Sequence, residues 1–558
     1  MRQGRTAGQG RGMSTLFDAI RDGDEDVAVR ALRDGAGPED VEDGETALYR
    51  AAVGNEAGIV RVLLAAGADP GRGSGEDGAD LPLCGAAVGG HTEVVRALLA
   101  AGAEADQEEA FGFTALAWAL RLGHADTARA LLEYGADPDR RGPDGVLPLV
   151  AAARRGSTGC VRALLDHGAD AREAALREAR RWIGADIAAE LRRGLVAGNE
   201  GGQTFEAVVR RVREDGGVTV VVELLREDGA PGRGDERQTG HAAIATLLES
   251  SLGLRTSHEE LAARALRCGD PELDDWTTAV AELAGRADEE TFVAAAAWCA
   301  YRDPLRRALG ARVLGALPGF APSAVPVLRR LAAEVVTSAP PGETARPGHP
   351  AGERTTSWPT APGPTASRSS ASWPGPPGSP ASRAAAAGRA AAGVAAREPL
   401  LSVVSALGEC ADPAAVPDLL AAAAHPDAAV RRAVAGSLAG IVPAGHAEAL
   451  GVLLALSRDG DARVRDWATL ALAELPDDTP LVREGLAERL GDADPETAAE
   501  AARGLAIRQD PRAVDALASA LADGDPEGAA RETALAALEY VRDPRVRTRL
   551  EWTTPRRA

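Results

Sequence analysis

Through the first third of the chain, apolar residues come in pairs of short helical runs. The second run of each pair ends in a leucine doublet: Leu63-Leu64, Leu98-Leu99, Leu131-Leu132 or Leu164-Leu165. A Gly-Ala dipeptide closes each unit, at Gly35, Gly67, Gly102, Gly135 and Gly168, with intervals of 32, 35, 33 and 33 residues. The first run is short and alanine-rich (Ala51-Ala52, Ala86-Ala87, Ala119, Ala152-Ala153), and Asn55, Gly90, Gly123 or Gly156 separates it from the second. Those residue types tolerate the left-handed backbone that stops a helix. A unit of this size cannot bury its apolar face alone, so the pattern predicts a stack in which neighbours complete one another's core. The product is an extended surface suited to binding.

Each first helix opens on Thr46-Ala47-Leu48, Leu81-Pro82-Leu83, Thr114-Ala115-Leu116 or Leu147-Pro148-Leu149. Over residues 13–178 this resembles the ankyrin repeat, whose signature is Thr-Pro-Leu-His-x-Ala. The resemblance implies about five units, the first (Leu16 to Gly35) serving as an acidic N-terminal cap. The family's histidine is replaced by Tyr49, Cys84, Ala117 and Val150, so its hydrogen bonds to the turn are lost and a less rigid stack is expected.

A second periodic region begins near residue 398. Leu407, Leu438, Leu472, Leu505 and Leu538 hold equivalent helical positions at intervals of 31, 34, 33 and 33. Asp427, Asp461, Asp494 and Asp525 stand where carboxylates cap helix N-termini, and Val430-Arg431 and Val464-Arg465 recur inside the helices they open. The pattern resembles short HEAT repeats of the phycobilisome-lyase type. An upstream unit around Leu314 belongs to the series. Leu314 and Leu407 are 93 residues apart, and removing an aberrant stretch of about 60 leaves one period. That stretch, 336–397, holds eleven prolines from Ser338 to Arg397 and only two acidic residues, so a disordered insert between two repeats is expected. Trp358-Pro359 and Trp373-Pro374 are its only docking-like motifs.

Between the arrays, residues 179–290 read as a helical connector, with atypical HEAT-like units from about 240. Helices are expected over Trp182–Arg193 and His241–Leu252, and Ser257 to Glu260 has capping-box spacing. Val218-Thr219-Val220-Val221-Val222 is β-branched and fits either a short strand or the start of a buried helix. The expected organisation is therefore all-α, two α-solenoids: leader 1–12, ankyrin repeats 13–178, connector 179–290, HEAT-like repeats 291–335 and 398–552 around the insert 336–397, and a basic tail 553–558.

Composition narrows the function. Of 558 residues 45% are apolar but only 3% aromatic, as in alanine- and leucine-rich helices. All 62 basic residues are arginine, which we read as the codon bias of a GC-rich, bacterial genome. The net charge of −21 argues against nucleic-acid binding. Cys84, Cys160, Cys268, Cys299 and Cys410 are scattered without a CxxC pair, which favours a reducing cytoplasm over a disulfide framework or zinc site. Residues 1–12 lack an apolar secretory core, Met13 is a candidate start, and eighteen consecutive apolar residues occur nowhere.

Candidate chemistry is sparse. His91 and His124 recur through the repeat, 33 residues apart, and are read as structural. No metalloprotease, P-loop or nucleophile-elbow motif is present, so neither a catalytic residue nor a cofactor or metal is expected. The acid-rich stretch Asp18 to Glu45 reads as a solvated cap that could also draw a partner with a basic surface. In so aromatic-poor a chain, Tyr49, Arg50, Phe111, Phe113, Trp118 and Arg121 are the candidate partner-binding residues, because aromatic and arginine side chains anchor interfaces. Trp467 is expected in an inter-repeat core. The reading is a non-catalytic scaffold or adaptor for protein partners; a bilin-lyase-like or chaperone-like role is the alternative implied by the HEAT-like resemblance.

Overall fold

The computed structural model describes residues 15–75, 78–197, 206–214, 216–226, 231–338, 397–522 and 528–553. The leader, nearly all of the expected insert, Asp525 and residues 554–558 lie outside them. The chain divides into two compact units, the first ending at Ala279 and the second beginning at Val280.

In the first unit the helices pair as the repeat pattern requires. Helix 15–22 is followed by Glu25–Arg33, Ala47–Val53 by Ala57–Ala65, Pro82–Gly89 by Thr92–Ala100, Ala115–Leu122 by Ala125–Glu133, and Pro148–Arg155 by Thr158–Asp166. Thr46 and Thr114 cap their helices by accepting from Tyr49 and Ala117 N–H, and Pro82 and Pro148 occupy first-turn positions where no donor is needed. Leu63, Leu98, Leu131 and Leu164 are fully buried in one continuous core. Each contributes on the order of 2 kcal/mol from burial. Carboxylates stitch successive turns together: Asp137 N–H donates to Asp106, and Asp170 N–H to Asp139 Oδ1 at 3.1 Å.

This core continues past residue 178. Arg172–Trp182 packs on Pro148–Arg155 as the first helix of a sixth repeat would, and His241–Ser251 packs on both Arg172–Trp182 and Thr158–Asp166. Ile244, Ala245 and Leu248 join the repeat core. The sixth repeat is thus split, its second helix delayed by the segment between Trp182 and His241.

That segment corrects the helical-connector expectation. Helix Ile187–Ala197 leads into a three-stranded antiparallel sheet: β1 (Glu206–Glu214), β2 (Gly217–Leu225) and β3 (Pro231–Gln238), with β2 central. Val222 lies opposite Val209 on one side and Asp235 on the other. Val220, Val222 and Leu224 of β2 are buried, and Val220 and Val222 pack with Leu191 of the preceding helix. The β-branched run therefore resolves as the middle strand. Its neighbours are arginine- and glycine-rich and show little apolar alternation, so helix periodicity on either side outweighed a strand signal confined to one segment. At Ser257 the N-cap half of the capping box forms, its hydroxyl accepting Glu260 N–H at 3.2 Å, while the Glu260 carboxylate accepts from Arg264 Nε.

The second unit is helical throughout its described residues. Helices Ala428–Leu438, Ala462–Glu474, Pro495–Ile507 and Ala529–Ala537 stack one on the next. Asp427, Asp461 and Asp494 each accept a backbone N–H at their helix starts. Small residues allow close approach: Gly504 faces Ala473, and Gly408 faces Ser437. Gly315 meets Ala406 in the same manner, and Arg312 pairs with Glu409 at 3.0 Å. The stacking therefore continues from helix Pro304–Ala316 to helix 397–409, as excision of one aberrant stretch requires. Trp467 departs from expectation: its ring covers Gly436 but remains 41% exposed.

Candidate functional site

The densest group of the expected anchors lies on the fourth helix pair. Thr114 caps helix Ala115–Leu122, which places Phe113 just before the cap and Trp118 one turn inside it, the geometry of a hydrophobic staple. Their rings stack at 4.2 Å with an interplanar angle of 16°, and the Arg121 guanidinium stands 5.9 Å from each centroid. Trp118 Nε1 donates to Glu109 Oε1 at 2.6 Å. Burial raises the Glu109 carboxyl above its ordinary value, against the Trp118 hydrogen bond that lowers it.

Phe113 and Arg121 border a cavity of about 300 Å³. Helices Ala115–Leu122 and Pro148–Arg155 supply Ala117, Leu120 and Ala151, the turn between them supplies Arg140, Pro143 and Val146, and β3 supplies Asp235, Glu236 and Arg237. One wall thus comes from outside the repeats.

A chain of contacts fixes that wall. Arg155, only 7% exposed, donates through Nη1 to the Glu236 carbonyl and through Nη2 to Glu236 Oε1 at 2.7 Å and the Leu122 carbonyl at 2.9 Å. The Arg237 guanidinium lies over the Trp182 ring at 4.1 Å, and Trp182 stacks in turn on His241 at 5.7 Å. Burial lowers the Arg237 pKa, with Arg154 and Arg155 adding repulsion and Asp235 and Glu178 opposing it. Gly156, at φ +80°, lets the strand come close: a Cβ there would stand 2.2 Å from the Gln238 carbonyl oxygen.

The other anchors are not gathered here. Arg50 donates to Glu42 at 2.7 Å and Glu45 at 3.0 Å and covers the Phe17 ring at 4.9 Å, so its charge is already engaged. Tyr49 is half-buried against Gly85 of the next repeat, and burial, reinforced by Asp80 and Glu45, pushes its hydroxyl up to about 12. Phe111 is 82% exposed at the tip of the turn before Phe113. The sequence reading missed Trp182, Glu236 and Arg237. One signal could have pointed toward them: Gly240-His241 repeats the Gly-His pair of Gly90-His91 and Gly123-His124.

His91 and His124 donate from Nε2 to the Val53 and Val88 carbonyls of the preceding repeats, at 3.2 and 3.1 Å. Much of the acid-rich cap is occupied internally as well: Asp24 and Asp40 accept backbone N–H groups, Glu39 accepts from Asp69 N–H and Arg72, and Glu42 and Glu45 hold Arg50. Arg431 and Arg465 form bidentate pairs with Asp459 and Asp492 of the neighbouring turns. The five cysteines form no disulfide. Burial raises the thiols of Cys84, Cys268, Cys299 and Cys410, so these are not activated nucleophiles. Among the described residues no cluster of three His, Cys, Asp or Glu side chains is arranged for a metal ion, and no helix is long and apolar enough to cross a membrane.

This architecture defines a tandem helical-repeat protein made of two α-solenoid arrays. Residues 43–73 match the family model for the ankyrin repeat, 83–175 that for ankyrin repeats in three copies, and 397–473 with 483–554 that for HEAT repeats. The chain carries ankyrin repeats followed by HEAT repeats. The HEAT match distinguishes no lyase subtype. No curated protein matches the chain.

Proposed function

We propose that this chain is a non-catalytic scaffold whose ankyrin-containing unit holds a protein partner at the Phe113–Trp118–Arg121 cluster. Both repeat families are typical interaction modules. The observation that carries the reading is the stacked aromatic pair with an arginine above it, of which Phe113 and Arg121 border a cavity. Such clusters concentrate binding energy because they bury large area at small entropic cost and offer a directional cation. Five cysteines without a disulfide suit the cytoplasm as the place of action.

The test compares partners captured from the native cell by the wild-type chain and by a Trp118→Ala/Arg121→Ala variant, quantified by mass spectrometry. A specific set should be lost while far-UV circular dichroism shows that the repeat array stays folded. Recovery of the same set at the same yield would remove this face from the proposal.

A further inference from the structure

The inserted strand changes what the groove can recognise. Five guanidiniums border the cavity, and three are engaged: Arg140 with Glu108 at 2.7 Å, Arg155 with Glu236 at 2.7 Å, and Arg154 with Glu178 at 3.3 Å. Arg121 and Arg237 differ. Each is positioned by an aromatic face, Arg121 by Phe113 and Trp118 and Arg237 by Trp182, and among the described residues no carboxylate stands within ion-pair distance of either. An aromatic ring holds a guanidinium in place without neutralising it. Two cations are therefore held at one cavity with their charge still available.

We propose that this cavity binds a short extended segment of a partner protein in which a carboxylate side chain neighbours an apolar one. The carboxylate sits between Arg121 and Arg237, and the apolar side chain packs on Phe113, Ala117 and Ala151. The volume, about 300 Å³, suits one or two side chains and is too small for a helix. Asp137, Asp144 and Asp235 also border it; Asp137 and Asp144 each accept a backbone N–H from their own turn, and Asp235 accepts that of Glu236 beside it on β3. Their negative charge disfavours a polyanion and selects an isolated acidic residue flanked by apolar ones. An entering carboxylate also relieves the repulsion among Arg154, Arg155 and Arg237. The site depends on Arg237, which no repeat supplies. This inference rests on the reading of the ankyrin-containing unit as a partner-binding surface and names the partner's chemistry.

Fluorescence anisotropy on the full chain tests it, with a fluorescein-labelled octapeptide holding a single Glu between two Leu in an otherwise Gly/Ser sequence as probe and the same peptide with Gln for Glu as control. The Glu peptide should bind at least about ten-fold more tightly and weaken as salt is raised. Arg121→Gln and Arg237→Gln should each reduce its affinity about ten-fold. Arg121 is exposed on a helix surface, so its substitution preserves the test should Arg237→Gln loosen the strand. Equal affinity for the two peptides, or a Glu-peptide affinity unchanged in the double variant, would overturn the proposal. If the peptides fail while Trp118→Ala/Arg121→Ala still loses cellular partners, only the acidic occupant falls; if both fail, the surface itself falls.

Discussion

His241 donates from Nε2 to the carbonyl oxygen of Arg154, across 87 residues of sequence. The same bond joins His91 to Val53 and His124 to Val88, and in each case the histidine follows a glycine at the start of a second repeat helix. His241 therefore marks the re-entry of the chain into the repeat array after the sheet.

Its titration should be visible in the stability curve. Burial, with Arg237 adding to it, lowers the His241 pKa from 6.5 to about 4. The unfolded chain thus takes up a proton below pH 6.5 that the folded chain refuses until about pH 4, so stability falls as pH drops through that window. The full effect is on the order of 3 kcal/mol. His241→Gln retains a donor but does not titrate. Urea unfolding of the variant should show a flatter pH dependence between 6.5 and 4 than the wild type.

Glu249 locks the same repeat from its far end. It is 1% exposed and accepts from Arg264 at 2.7 and 2.9 Å, from Thr256 at 2.5 Å and from Arg180 at 2.8 Å. Burial alone would raise its pKa, but these donors outweigh it and hold the carboxyl at about 2 against an ordinary 4.5. This stability is present above pH 4.5 and is lost as pH falls toward 2. Glu249→Gln removes the buried counter-charge of Arg264 and leaves it only the exposed Glu260 carboxylate, 3.2 Å from Nε, so it should cost about 3 kcal/mol at neutral pH, measured by urea unfolding.

Gly156 separates the requirement of the turn from that of the sheet. Gly135 has a similar φ of +92°, but a Cβ there would meet nothing within 4 Å. Gly135→Ala should therefore cost only the left-handed penalty, about 1 kcal/mol. Gly156→Ala adds a clash with Gln238 and should cost clearly more, with faster amide exchange along β3. Equal losses at the two sites would show that the sheet does not bear on Gly156.

In the second unit Arg508, 5% exposed, directs its guanidinium to the carbonyls of Leu472, Ala473, Leu475, Asp477 and Gly504. It caps the C-terminal end of helix Ala462–Glu474, where carbonyls lack intrahelical partners. Arg508→Met should lower stability by about 3 kcal/mol, and Arg508→Lys should recover only part of it, because an ammonium cannot reproduce the planar fork. Chemical denaturation of the full chain measures both.

The repeat periods, the paired helices, the acidic helix caps and the HEAT stacking between Leu314 and Leu407 were legible in the sequence because each depends on neighbours a few residues or one period away. The staple of Phe113 on Trp118 is local too, and the sequence put both on the candidate surface. Arg50 shows the limit of local reading: its position on the helix is local, but its pairing with Glu42, Glu45 and Phe17 depends on how the cap folds over it. The sequence by itself thus determined the modular solenoids and the rarity of anchors. Tertiary structure alone decided that Trp182 and His241 belong to one split repeat, and that β3 carries Arg237 to the cavity that Arg121 also borders. Strand pairing and long-range stacking have no period along the chain, since they arise only when segments far apart in sequence share a buried surface.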